Sequence, residues 1–250
     1  MSTTVVVNGG PRGVVPEVPE ALIPIVRSAD RVVAVDSGCD VAHRLGLVVD
    51  VLVGDLDSVS PGALRRASAQ GAVVVQHPSD KDRTDFELAL SLACDRVAAD
   101  DGRAATRHRL VVLGTASGRV DHLLATVGTL AGAPTDRWQV DVVLDDHHVV
   151  VVGPGRTDLP GSVGDTVSLV ALGPGAQVRS TGGLLWPLRD ERLEALAGRG
   201  VSNRVDSAPA WIDVAEGRLL AILSVVEPVP VAERIPVTGI LVTQHEGGTT

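Results

Sequence analysis

The chain has no tyrosine, one phenylalanine and three tryptophans, so aromatic side chains make up only 2% of its 250 residues. Its core must then be packed from Val, Leu, Ile and Ala, and Phe86, Trp138, Trp186 and Trp211 stand out against that background. Cysteine is nearly missing as well. Cys39 and Cys94 have no metal-ligand spacing and make no disulfide framework, which reads as two reduced thiols. There is no basic stripe, and a formal charge of −9 argues against a nucleic-acid or anionic-membrane partner. No apolar run reaches the length of a membrane-spanning helix. The segment MSTTVVVNGG lacks the basic and apolar regions of a secretion signal, so a soluble, cytoplasmic protein is expected.

The usual phosphate cradles are absent too. There is no G-x-x-x-x-G-K-[ST] loop, no G-x-G-x-x-G after the first apolar run, and no G-x-S-x-G nucleophile elbow. His122, His147 and His148 lack zinc-ligand spacing and read as solvent-facing or capping groups.

What is present is a repeated design. Apolar residues make up 44% and charged ones 21%, enough for a sizeable core in one large domain or two modest ones. TTVVVNGG, RVVAVDSG, DVLVGDLDS, GAVVVQHPSDKD and RLVVLGTASGR each run from β-branched residues into small or acidic ones. Such runs suit strands of a parallel sheet covered on both faces. The segments 16–29, 40–47, 61–70 and 84–98 between them read as helices. The last is the best defined: Phe86, Ala89, Leu90, Ala93 and Val97 share one face, and Thr84 with Glu87 makes a capping box.

Ligands of open α/β sheets gather beyond the carboxyl ends of the strands. Asn8, Asp36, Asp55 with Asp57, Asp80 to Asp85, and Ser117 to Asp121 all stand there. A single aspartate after a strand is most often a turn or cap residue. Five strand ends meeting at one edge make that explanation the poorer one.

From about Gly132 the pattern changes to strand runs (QVDVVLD, HHVVVVG, DTVSLVAL, GRLLAILSVV) punctuated by Gly and Pro, with only 191–197 looking helical. The expected fold is an α/β N-terminal domain with a mainly parallel sheet, residues 1–146, followed by an all-β, sandwich-like C-terminal domain, residues 147–250. The tail from Gly239 is expected to fray.

VLVGDLDSVSP holds the sharpest question. Asp55 and Asp57 are one residue apart, and in an extended segment both would point to one side. Two such charges repel unless a basic side chain or a metal ion sits between them. Carboxylates with few neutralising partners suit a hard cation such as Mg²⁺, which also takes waters and substrate phosphates. Lys81 and Arg119 would then face the remaining phosphate oxygens, and Asp85 lies in a helix's first turn, where the dipole favours an anion.

DSG, GDLDS, KDRTDFELAL, GRVDH, TGGLLWPL and GVSN occur in the order and at about the distances found in thiamine pyrophosphokinases, and the chain resembles that family from Asn8 to about Leu223. The resemblance implies transfer of a pyrophosphoryl group from ATP to thiamine, with AMP leaving, by a homodimer that binds thiamine between its subunits. It implies Asp55, Asp57 and Asp85 as Mg²⁺ ligands, Asp36 near the same centre, Lys81 and Arg119 as phosphate contacts and Asp121 as an organising carboxylate. It further implies Trp186, Ser202 and Asn203 as thiamine-side residues of the second domain. The chain departs from the family at Asp36-Ser37-Gly38-Cys39-Asp40, where Asp-Gly-Gly-Ala-Asn is common, and at Leu185, where a lysine often stands. Two rival readings are a pyrophosphokinase acting on a hydroxymethylpterin and a nucleotide-binding regulatory module without turnover.

Overall fold

The computed structural model describes residues 1–10, 14–100 and 108–224, with side chains omitted at 95–100. The elements in order are β1 (Thr3–Val7), α1 (Ile23–Arg27), β2 (Arg31–Val35), α2 (Gly38–Arg44), β3 (Val51–Gly54), α3 (Pro61–Ala69), β4 (Val73–Gln76), α4 (Asp85–Asp100), β5 (His108–Gly114), α5 (Val120–Ala131), β6 (Trp138–Leu144), β7 (His147–Val152), β8 (Gly155–Leu159), β9 (Thr166–Gly182), β10 (Arg189–Leu193), β11 (Asn203–Arg204) and β12 (Ala210–Ser224).

One sheet runs through the molecule in the order β10-β9-β12-β7-β6-β5-β1-β2-β3-β4, with β8 and β11 paired to β12 and β9 off this path. The six strands from β6 to β4 are all parallel. From β7 outward every pairing is antiparallel. The expected α/β half and β-rich half are therefore both present, joined edge to edge through β6 and β7.

Packing follows the apolar runs. On one face of the parallel strands, Phe86, Ala89, Leu90 and Ala93 of α4 and Leu130 of α5 cover Val6, Val33, Val53, Leu110 and Val112. On the other, Val26, Val41, Ala42, Ala63 and Ala67 from α1, α2 and α3 cover Val5, Val7, Ala34, Leu52 and Val111. A third core lies within the β-rich half, around Val167, Leu169, Val178, Leu188, Ile212 and Leu219. There β12 pairs β8 along Ala210–Val214 and β7 along Leu219–Leu223, with bulges between Asp213 and Arg218. Bulges bend a strand and raise its twist, so the long β9–β12 ribbon can enclose its own core.

Several local expectations need correction. The segment 16–29 is helical only over Ile23–Arg27, because Pro16, Pro19 and Pro24 deny the backbone its donors and restrict the residue before each. Residues 191–197 form no helix. Arg189–Leu193 pair antiparallel with β9 instead, and seven residues are too few to sustain a helix without packing. β4 is not covered on both faces: it is the sheet's edge, and Val73 is 61% exposed. A helix the pattern did not suggest, α5, follows β5. The capping box is present, with Glu87 N–H donating to Thr84 Oγ1 at 3.2 Å and Thr84 N–H to Glu87 Oε2 at 2.8 Å. The side chain of Val97 and the tail from Gly239 lie outside the described residues. No helix among the described residues is long and apolar enough to cross a membrane.

Candidate active site

In a parallel sheet all strands end at the same edge, and the chain runs from β1 to β4 on one side of β1 but places β5 on the other. The crevice at that reversal is where open α/β sheets bind ligands. Here it is a cleft of about 720 Å³. Asn8, Gly9 and Gly10 after β1, Asp36 and Ser37 after β2, Asp55, Asp57 and Ser58 after β3, Ser79 and the run Lys81 to Asp85 after β4, and Thr115 with Ser117 to Arg119 after β5 all line it. The five strand ends do meet.

Two glycines make the approach possible. A Cβ on Gly38 would lie 2.1 Å from Val7 O, so only glycine lets α2 start this close to β1. Gly54 has φ +147°, and a Cβ there would lie 1.8 Å from Asp36 Oδ1. Asp36 itself has φ +44°, sparsely populated for a residue with a side chain. It is fastened by its N–H to Val53 O at 3.0 Å, and its Oδ1 accepts from Leu56 N–H at 3.0 Å.

Asp55 and Asp57 do not stand on extended backbone as the spacing suggested. Leu56 has φ +68°, and Asp55 Oδ1 accepts from Asp57 N–H at 3.1 Å in a turn. The two carboxylates still line the same cleft. Asp55 Oδ2 accepts from the Ser79 hydroxyl at 2.8 Å. These two bonds hold the Asp55 carboxyl below its ordinary range, the Asp57 N–H first and Ser79 second. Asp36 goes the other way, to about 6. Burial is the main cause, the Leu56 N–H opposes it, and the charges of Asp85, Asp55 and Asp57 add to it.

The cations of the cleft are largely engaged. Lys81 Nζ lies 3.0 Å from Asp85 Oδ2 and donates to Pro78 O at 3.0 Å. Arg83 folds onto α4, donating to Ser91 Oγ at 2.6 Å and to Glu87 O at 3.3 Å. Arg119 grips Asp121 with both arms, at 3.1 and 2.6 Å. That grip pulls the Asp121 carboxyl down to about 2 and raises the guanidinium. Arg119 lines the cleft; Asp121 does not. Against these stand Asp36, Asp55, Asp57, Asp82 and Asp85, and Asp85 Oδ1 is buried with no hydrogen-bond partner. Among the described residues no three carboxylate, imidazole or thiolate groups are gathered closely enough to hold a metal ion by themselves.

The Asp40 carboxylate, a departure from the family pattern, turns away from the cleft. It accepts from Ser60 Oγ at 2.5 Å and Ser60 N–H at 3.0 Å, at the start of α3. Ser37, the other departure there, lines the cleft.

Trp186, Ser202 and Asn203 do not join this cleft. Trp186 is 54% exposed on the loop after β9, and Asn203, 3% exposed, holds its backbone: Oδ1 accepts from Trp186 N–H at 3.1 Å and Nδ2 donates to Trp186 O at 2.7 Å. Ser202 has φ +59°. Sequence reasoning did not pick out Ser79, Thr115 or Asp145, although Asp145 ends the run QVDVVLD, the same strand-then-aspartate design seen at Asp36.

With this geometry in hand, the comparisons decide the family. The model described as "Thiamin pyrophosphokinase, catalytic domain" matches residues 24–143, and "Thiamin pyrophosphokinase, vitamin B1 binding domain" matches residues 156–219. The chain belongs to the thiamin pyrophosphokinase family. Thiamine pyrophosphokinase of Bacillus subtilis (strain 168) is 21% identical over 225 residues, 90% of this chain and 99% of that protein. The crystal structure of the Bacillus subtilis thiamine pyrophosphokinase superposes with a TM-score of 0.71 at 22% identity, covering 89% of this chain and 99% of that one. Thiamin pyrophosphokinase from Candida albicans gives a TM-score of 0.69 at 14% identity, over 89% and 88% of the two chains. The shared fold thus spans both halves of the sheet.

Proposed function

We propose that this chain is an ATP:thiamine diphosphotransferase, moving the pyrophosphoryl group of ATP onto the thiamine hydroxyl and releasing AMP. The observation that carries the reading is the acidic cleft built from five strand ends within a fold and family of thiamin pyrophosphokinases. The cleft suits the triphosphate together with its cation. Five carboxylates face three largely engaged cations, Asp85 Oδ1 has no partner, and Asp36 is pushed toward protonation by burial first, with the charges of Asp85, Asp55 and Asp57 adding to it. Such a site is short of positive charge. Mg²⁺ binds through one or two carboxylates and completes its shell with waters and phosphate oxygens, so it needs no closed cage of three protein groups. Of Asp55, Asp57 and Asp85, one or two would hold it directly and the rest through its waters, and it would neutralise charge on the triphosphate.

The chain's own residues do the rest by positioning and charge, as suits phosphoryl transfer. Lys81 and Arg119, at opposite sides of the switch point, hold the phosphate oxygens. Asp121 aims the Arg119 fork. Asp36 lines the cleft and Asp121 does not, so Asp36 is the better placed acceptor for the thiamine hydroxyl proton.

Thiamine would lie against Trp186, whose exposed face suits a flat cationic ring. Because Trp186 lies outside the cleft, and Leu196 and Val201 are also exposed in the same half, the thiamine side would be completed between two subunits of a homodimer. We keep the functional division at 1–146 and 147–250, supported by the change from parallel to antiparallel pairing between β6 and β7. A cytoplasmic location fits the ATP-dependent chemistry and the reduced thiols of Cys39 and Cys94.

The test is to incubate the protein with ATP, Mg²⁺ and an acceptor and to measure AMP. AMP formed with thiamine bears the proposal out. AMP formed only with a hydroxymethylpterin would move the assignment to another acceptor, and binding of nucleotide without AMP would leave a regulatory module.

A further inference from the structure

A sixth strand end contributes to the cleft without lining it. Asp145 follows β6, two residues beyond the stretch matched by the catalytic family model, and has φ +54°. Its side chain reaches across to the loop after β5. Asp145 Oδ1 accepts from the Thr115 hydroxyl, and Oδ2 accepts from Ala116 N–H at 3.1 Å.

The proton order then follows. Thr115 has one hydroxyl proton and gives it to Asp145, so its oxygen can only accept from other partners. It does so twice, from Ser117 N–H at 3.0 Å and from the Ser117 hydroxyl. The chain runs one way, from Ser117 through Thr115 to Asp145, and leaves Thr115 no proton for a ligand. Thr115 and Ser117 line the cleft, so this part of its wall is tied to a carboxylate outside it.

The same residue is also bonded, through its backbone, to the connection after β1. Asp145 O accepts from Glu17 N–H at 2.7 Å, in the connection after β1, and Asp145 N–H donates to Gly114 O at 3.3 Å. The walls also meet directly, since a Cβ on Gly10 would lie 2.1 Å from Thr115 Cγ2. A shift of Thr115 is therefore felt by the β1 loop.

We infer that Asp145 is a positioning residue for the nucleotide: it locks the loops after β1 and β5 into the shape that receives ATP, acting through Thr115. The inference rests on the proposed placing of ATP in this cleft. It calls for binding and turnover to be read separately in the wild type, Asp145→Ala, Asp145→Asn and Thr115→Val. Calorimetry with Mg²⁺ and a non-hydrolysable ATP analogue gives the nucleotide Kd, and AMP release gives KM for ATP and for thiamine.

Loss of the paired bonds should weaken nucleotide binding about tenfold in Asp145→Ala, with KM for thiamine changed less than about twofold. Asp145→Asn keeps one acceptor oxygen and should fall between. Thr115→Val removes the hydroxyl that donates to Asp145 and accepts from Ser117, and combined with Asp145→Ala it should add little to the larger single effect. Unchanged nucleotide Kd in Asp145→Ala, an equal rise in both KM values, or full additivity with Thr115→Val would overturn the inference. A wild type that binds the analogue but forms no AMP removes the reading of the reaction and leaves the Asp145 result to be judged on Kd alone. A wild type that binds no nucleotide overturns both.

Discussion

The two halves of the sheet place their functional candidates in opposite ways. In the parallel half every strand ends at one edge, so residues far apart in sequence, such as Asn8, Asp36, Asp55, Asp85 and Ser117, line one cleft. In the antiparallel half neighbouring strands end at opposite edges, and nothing equivalent can form. Trp186 and Ser202 sit on connections, one largely exposed and the other on left-handed backbone. The parallel half thus builds a site by topology alone, whereas the antiparallel half presents a surface that needs something laid against it. Under the proposed function, this difference separates the nucleotide chemistry from recognition of the acceptor.

Mutations can break that separation. The largest effect is expected for Asp57→Asn, or for Asp85→Asn, which removes a carboxylate from the cleft. AMP formation should fall by about 10²-fold or more while circular dichroism shows the fold intact. Next is Trp186→Ala, which should raise KM for thiamine about tenfold and leave KM for ATP nearly unchanged. If both constants rose together, the two halves would not divide the work as described. Gly54→Ala tests the close packing behind the cleft. Forcing φ +147° on a residue with a Cβ, against Asp36, should cost about 1–3 kcal/mol in chemical denaturation.

A smaller effect concerns pH. The folded state holds the Asp36 proton to about 6, above the unfolded carboxylate's 3.8, so it binds more protons than the unfolded chain between those values. The wild type should therefore lose stability relative to Asp36→Asn as pH rises from about 4 to 6, and added Mg²⁺ should shrink the difference. The smallest change is Thr84→Ala, which removes half of the capping box of α4. It should cost about 1 kcal/mol in a thermal or urea melt.

Much of this was legible because parallel strands carry a plain signature. Runs such as VVAVD and VLVGD announce a buried strand and the polar residue that follows it, and topology brings those residues together whatever lies between. Where the signal failed, the causes are specific. Asp145 bears the same signature, but it falls beside the expected division at 146/147, where the pattern changes to short strands, and so did not stand out. The α5 helix was missed because Gly128 and the β-branched Val120, Thr126, Val127 and Thr129 weaken the helical signal, and Val120 and Leu124 are exposed rather than buried. Residues 191–197 look helical by composition, yet pairing with β9 decided their state. Nor could sequence show that Leu56 takes φ +68°, so the geometry of Asp55 and Asp57 came out as a turn.

The central claim is that the acidic edge of the parallel sheet handles ATP with a divalent cation and passes two phosphates to thiamine. The most direct measurement is AMP release by the wild type and Asp57→Asn with ATP and thiamine, with Mg²⁺ present or chelated. The account predicts thiamine-dependent AMP from the wild type with Mg²⁺, and almost none after chelation or in the variant. Equal AMP release in all of these conditions would contradict it.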